Sequence, residues 1–299
     1  MFGAETTLVD AGADYKYVGI ASAGALPSQP VWRIMRFTLA SGEVVKHEWA
    51  SGTVDNNKIW TNRASYFTPI TTSGYLNKFS TLFDGINDVV NIPIGDLATL
   101  CGVNHSVSIW FKPLNTGTQY LWLVGSSAGT VPMLSSINVS ETQVIFNVRD
   151  DAGNTINAAI SVALVAGNWY NLTASRSGNT AIVYINGLAG SAAAPATIGT
   201  TTVNQASIGC RRANTNTAFF SGLINQLMIF DKSLTAAEAQ EIWNGGTPKD
   251  FADLSSYANL KAYWFMGNGD TFPTISDKIG ANHGTMANMT SSQFLEDVP

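Results

Sequence analysis

Carboxylates are the first residues to test for chemistry. Cleaving a glycosidic bond with retention needs two carboxyl groups about 5–5.5 Å apart. On a strand that means acids at i and i+2 or i+4, where side chains share a face. Asp150 and Asp151 adjoin in a turn, Glu238 and Glu241 fall in a helical stretch, and Glu43 and Glu48 fall on opposite faces of their strand. No strand carries a Glu-x-Asp-x-Glu pattern. His47, His105 and His283 are the only histidines, and none has metal-ligand spacing to another or to a cysteine. There is no Gly-x-Ser-x-Gly elbow and no phosphate loop. These patterns point away from an enzyme.

Binding chemistry has better candidates. Sugar sites combine aromatic faces with directed polar groups. Tyr120 and Trp122 follow a polar loop, and Arg211, Arg212 and Asn214 belong to the polar run RRANTN. Either group could line a rim. The competing reading makes Trp122 a core residue and Arg211 and Arg212 a solvated loop.

The elements that must position these residues are mostly strands. Phe220–Phe230 (FSGLINQLMIF) is apolar and β-branched without a helical stripe. A capped helix follows: Thr235 can cap the N–H of Glu238, whose carboxylate can reach back, and Gly245-Gly246 supplies a left-handed stop. One short helix behind a long apolar strand, in a strand-rich chain, predicts an all-β, two-sheet antiparallel sandwich. Upstream, Tyr15–Ile20 reads as a strand, Gly24–Pro30 as a loop, and Val31–Leu39 with Glu43–Trp49 as a hairpin about Ala40-Ser41-Gly42. Residues 1–72 therefore form a small β module too small to bury much core alone. Trp32, Trp49 and Trp60 are its core or its contact surface. Residues 73–299 form the sandwich.

The chain has 299 residues, a net charge of −5, 45% hydrophobic residues and 12% charged residues. Without a basic face, nucleic acid is not an expected partner. A surface this poor in charge is either polar through Ser, Thr, Asn and Gly or covered by neighbouring subunits, and we carry the second option forward. Cys101 and Cys210 are the only cysteines. They read as free buried thiols, with pairing left open. The start, MFGAETTLVDAGADYKY, has no basic n-region or apolar h-region, and no run of eighteen apolar residues occurs. A chain made in a cytoplasm, with no membrane span, is expected.

Several segments carry a family resemblance. Phe83-Asp-Gly-Ile-Asn-Asp-Val-Val-Asn-Ile92 resembles the opening strand of laminin-G-like, concanavalin A-like jelly rolls. Val107–Pro113 resembles the second strand, and Trp169–Arg176 with Thr180–Gly187 the central hairpin, turned at Ser177-Gly-Asn179. Residues 260–299 resemble the strand and Gly/Asp loop that usually open such domains. Here they stand at the C-terminal end, and we expect an edge strand and wrapping tail of the same sandwich. The family often binds Ca²⁺, and the resemblance implies Asp84 and Asn225 as ligands; Asn225-Gln226 stand where acids are usual, which weakens or abolishes such a site. In the other reading Asp84 caps its turn and Asn225 hydrogen-bonds within the sandwich.

The N-terminal block resembles a short module of bacteriophage virion proteins, through Trp32-Arg33-Ile34, Glu48-Trp49-Ala50 and Asn62-Arg63-Ala64-Ser65. That resemblance implies a non-enzymatic structural protein of a virion, assembled in the host cytoplasm, as head fibre, capsid decoration or tail fibre. Trp32, Arg33, Trp49, Trp60 and Arg63 would anchor it to a capsid or tail protein. A homotrimer displaying a glycan-binding head is expected; a free bacterial carbohydrate-binding, lectin-like module is the alternative.

Overall fold

A computed structural model describes residues 5–11, 15–23, 25–40, 43–49, 58–59, 77–127, 132–194, 197–212 and 215–299. The chain divides into two units, Met1–Leu76 and Asn77–Pro299. In the first, β1 (Glu5–Ala11), β2 (Tyr15–Ser22), β3 (Pro30–Ala40) and β4 (Glu43–Trp49) form an antiparallel sheet in chain order, and β5 (Lys58–Ile59) pairs with β3. The strand β1 has no counterpart in the sequence reading. Tyr17, Ala21, Trp32 and Ile34 cluster as this unit's core. Trp32 is fully buried there and donates Nε1–H to the Leu26 carbonyl (3.0 Å).

The second unit, the head, runs through β6 (Ser80–Asp84), β7 (Val89–Ile92), α1 (Leu97–Leu100), β8 (Asn104–Pro113), β9 (Gln119–Gly125), β10 (Met133–Val139), β11 (Gln143–Arg149) and β12 (Thr155–Ser161). It continues through β13 (Tyr170–Ser177), β14 (Thr180–Ile185), β15 (Leu188–Ala189), β16 (Gln205–Ile208), β17 (Ser221–Phe230) and α2 (Ala236–Trp243). The last strands are β18 (Leu260–Trp264), β19 (Thr274–Ile275), β20 (Gly284–Ala287) and β21 (Phe294–Leu295).

These strands make two antiparallel sheets. The front sheet has the order β12-β11-β10-β9-β16-β7-β20-β19, and the back sheet β15-β14-β13-β8-β17-β6-β21 with β18 also paired to β17. Alternation sends Val107, Ile109 and Phe111 of β8 and Val144, Phe146 and Val148 of β11 into one shared core. Trp122 of β9 meets Trp264 of β18 across it, ring centroids 5.9 Å apart.

The stretch expected as one opening strand is two. β6 lies in the back sheet and β7 in the front, because the chain turns a corner between them. Gly85 takes φ +77°, and Asp84 Oδ1 accepts the N–H groups of Ile86 (2.8 Å) and Asn87 (3.2 Å). β17 also breaks in the middle. A bulge after Asn225, with Gln226 at φ +47°, lets one flank of β17 hold β6 along Ser221–Ile224 and β18 along Leu227–Phe230.

The C-terminal segment is more than an edge. β18 pairs with β17, β20 lies between β7 and β19, and β21 pairs with β6. Behind the back sheet α2 starts with the capping box read from the sequence: Thr235 Oγ1 accepts the Glu238 N–H (3.3 Å) and Glu238 accepts the Thr235 N–H (2.9 Å). Its stop begins at Asn244, already left-handed (φ 45°), ahead of Gly245 and Gly246.

Candidate functional site

The front sheet carries a polar row on its outer side. Direct cross-strand partners run Asn157, Asn147, Ser136, Leu123, Ser207, Asn91 and Thr285. Their chain neighbours Ala158, Phe146, Ile137, Trp122, Ile208, Val90 and Met286 point into the core. The row is not an open groove, because Ser136, Leu123 and Ser207 have no exposed surface. Asn157 is exposed at its β12 end, and at its β16–β7–β20 end the row opens into a cleft. There a concavity of about 290 Å³ is lined by Asn91, Ile92, Pro93, Ile94, Asn204, Gln205, Arg212 and Thr285. That is near the small end of ligand sites.

The cleft joins segments distant in sequence. β7 supplies Asn91, β20 supplies Thr285 directly beside it, and the approach to β16 supplies Asn204 and Gln205. Asn204 is already committed: its Oδ1 accepts the Ser127 N–H (2.9 Å) and its Nδ2 donates to Ser127 Oγ (2.9 Å). Gln205, 6% exposed, donates Nε2–H to the Arg212 carbonyl (2.8 Å) and so ties that loop to the sheet. The Asn91 amide, the Thr285 hydroxyl and most of the Arg212 guanidinium are not used within the described protein. Directed hydrogen-bond groups on a rigid sheet, beside the apolar faces of Pro93 and Ile94, can hold a polar ring by one face and its edge hydroxyls. Among the described residues no carboxylate lines the cleft, and those side chains supply no general acid–base pair.

Of the residues expected to bind, only Arg212 lies in this cleft. Trp122 is core, fully buried, its Nε1–H donated to Ser135 Oγ (3.2 Å). A bulge at Leu121 explains the error: Ile137 pairs with Trp122 and Asn138 with Tyr120, so Leu121 is extra and Tyr120 and Trp122 do not share a face. Tyr120 is half-buried, away from the cleft. Arg211 is half-buried in a bridge with Thr217, and Asn214 lies outside the described residues. Asn91, Gln205 and Thr285 had no sequence signal, since long-range pairing alone brings them together.

The calcium pair is not assembled. Asp84 pairs with Ser221, four residues from Asn225 along β17, a separation of about 13 Å at roughly 3.3 Å per residue. Asp84 caps its turn, and Asn225 Nδ2 donates to Asn77 Oδ1 (2.9 Å) and the Phe79 carbonyl (2.8 Å). Among the described residues no group of three or more His, Cys, Asp or Glu is placed to hold a metal ion.

Among the proposed anchoring residues, Trp32 is a core residue of its own unit rather than a contact residue, because β3 turns it inward beside Tyr17 and Ile34. Arg33, next to it, is half-buried. Trp49 sits on β4 opposite Met35. Trp60 and Arg63 lie outside the described residues.

The remaining ionisable groups serve structure. Burial opposes ionisation of Glu238 and of Glu241. Lys232 (2.6 Å) with Thr235, and Lys249 (2.6 Å) with Ser255, outweigh it and hold both carboxyls below the usual value. Asp150 is likewise lowered, by hydrogen bonds from Asn154 and Gly199. Burial drives the His105 imidazole down to about 4, so it is neutral at pH 7, with Nδ1 on the Gly102 carbonyl (2.7 Å). Cys101 and Cys210 are free and buried, their thiols pushed up by burial to about 12 and about 11.

With this geometry in hand, likeness to known proteins can be weighed. No curated protein matches the sequence. Among solved structures, a putative carbohydrate binding protein from Bacteroides ovatus superposes with TM-score 0.51 at 12% identity, over 94% of this chain and 79% of that one. The native heptameric SAP-like pentraxin from Limulus polyphemus gives 0.43 at 15% identity, over 70% and 95%. The Ruminococcus gnavus IT-sialidase CBM40 gives 0.47 at 13%, over 55% and 97%. At such identities the likeness is one of fold. Residues 84–240, more than half the chain, match the family described as the concanavalin A-like lectin/glucanases superfamily. The chain belongs to that superfamily.

Proposed function

We propose that this is a non-enzymatic glycan-binding protein whose head holds sugar in the β16–β7–β20 cleft. The observation that carries the reading is the pair Asn91 and Thr285, fixed side by side on a two-sheet scaffold with side-chain hydrogen-bond groups unused among the described residues. Lectin-type recognition needs such preorganised donors and acceptors more than it needs size. Binding of the full chain to a glycan array is the test. A positive glycan should lose at least tenfold in affinity when Asn91→Ala and Thr285→Ala are combined. Undiminished binding removes the cleft from the reading.

A narrower proposal concerns where the head is displayed. The separate N-terminal unit, and its resemblance to a virion module through Trp32-Arg33-Ile34 and Glu48-Trp49-Ala50, support a fibre or decoration protein of a bacteriophage particle, assembled as a homotrimer in the host cytoplasm. Anchoring would fall on Arg33 and on the surface around β4, not on the buried Trp32. Deleting residues 1–76 should abolish incorporation into particles while the remaining head stays folded. Unchanged incorporation favours a free lectin-like module instead. No helix among the described residues is long and apolar enough to cross a membrane.

A further inference from the structure

The charge of the cleft says more about its ligand. Every lysine of the head has an acidic partner: Lys78 with Glu296, Lys112 with Asp297, Lys232 with Glu238, Lys249 with Glu241, Lys261 with Asp231 and Lys278 with Asp270. The arginines differ. Of the head's arginines, Arg149, Arg176, Arg211 and Arg212, none has an ion pair among the described residues, and only Arg212 lines the cleft. Among the described residues it is also the only ionisable side chain there, with no Asp or Glu in the lining.

Arg212 is held but not used up. Its carbonyl accepts Gln205 Nε2–H (2.8 Å), and its preceding residue is clamped by paired backbone bonds between Arg211 and Thr217 (2.9 and 3.0 Å). Those contacts fix the backbone at the cleft wall. The guanidinium itself makes one long bond, Nη1 to the Ala206 carbonyl at 3.4 Å, beyond the usual range for N–H···O. Nε and Nη2 have no partner among the described residues. A half-buried guanidinium without a counter-charge is an incomplete arrangement, and its planar fork matches an oxyanion through two parallel N–H···O bonds.

We infer that the ligand of this cleft is an acidic glycan whose carboxylate or sulfate ester is received by Arg212, while Asn91 and Thr285 take neutral hydroxyls of the same ring. The inference rests on the glycan-binding reading and narrows it. The net charge of −5 gives the protein no long-range attraction for anions. Selectivity therefore comes from this one contact, and added salt should weaken it.

The experiment titrates the full chain with matched oligosaccharides: an acidic one, its carboxyl-reduced form and its desulfated form. We expect the acidic form to bind at least tenfold tighter than one of its neutralised partners, and which partner loses affinity identifies the oxyanion. Arg212→Gln should bring the acidic-to-neutral ratio to about one, and Arg212→Lys should restore part of it, with thermal melts confirming that both variants fold. Equal affinity for acidic and neutral forms overturns the inference and leaves the glycan reading intact. A preference that survives Arg212→Gln also overturns it. Binding to none of the sugars removes both.

Discussion

The two sheets of the head present polar residues outward in the same alternating manner, and they put them to opposite uses. Behind the back sheet, α2 and the residues around it bury Met228, Phe230, Leu234, Ile242, Leu254, Leu260 and Tyr263 as a second small core. Beside that core the polar face is sealed and bonded along Ser106, Ser108, Thr173 and Ser175, while Trp110 Nε1 and Asn225 Oδ1 on the same sheet are buried without a partner among the described residues. Ser106 Oγ donates to the Lys232 carbonyl (2.8 Å) and accepts the Leu234 N–H (2.9 Å), Ser175 Oγ donates to the Leu234 carbonyl (3.0 Å), and Thr173 Oγ1 donates to Ser108 Oγ (3.0 Å). In front, the Asn91 amide and the Thr285 hydroxyl at one end of the row have no side-chain partner among the described residues. The difference is one of access: the back-face groups are buried under α2, whereas Asn91 and Thr285 reach a cleft.

That contrast can be broken by measurement. The largest effect should come from Ile242→Ala on α2, which leaves a cavity in the second core and should cost about 2–5 kcal/mol in denaturant unfolding. Glycan affinity at the front should not change. Ser106→Ala should cost about 1–3 kcal/mol, because the buried Leu234 N–H loses its acceptor. If it is silent, the back face is not held by its hydrogen bonds. Thr235→Ala removes the helix cap and should cost about 1 kcal/mol in the same assay.

Acid provides a separate test of the back face. Glu238 has a folded pKa below its ordinary value, so its contribution is complete at neutral pH. It fades as pH falls below about 4.3 and through the folded value. The Glu238→Gln variant should show a shallower loss of stability on acidification than the parent protein, and parallel curves would remove Lys232 and Thr235 as the cause. The smallest effect belongs to the front. Asn91→Ala or Thr285→Ala should change stability by less than about 0.5 kcal/mol, since neither residue holds the fold together. A loss as large as that of Ser106→Ala would erase the distinction between the faces.

What the sequence revealed follows the range of the interaction concerned. The capping box of Thr235 and Glu238, the turn at Gly178-Asn179 and the strand β17 depend on neighbours within a few residues, and all were legible. The turn capped by Asp84 stood as one of two readings, but its carrying the chain from one sheet to the other was not legible, because a strand that changes sheets keeps its alternating pattern on both sides of the bend. For Trp122 the core reading holds, and the extra residue at Leu121, which puts Tyr120 and Trp122 on different faces, was not visible in the sequence. Arg212 was visible as part of a polar loop. Thr285 was not, because nothing near it indicates that β20 comes to rest against β7.

The placement of that segment has a consequence for synthesis. The strands that complete both sheets, β18, β20 and β21, are the last of the head to leave the ribosome, and they dock against β17, β7 and β6, two of which are made near its beginning. Until residue 295 has emerged β6 lacks its β21 partner, and until residue 264 has emerged the place of Trp264 against Trp122 is unfilled. A chain interrupted before Leu260 should accumulate as protease-sensitive, aggregating material rather than as a smaller folded head.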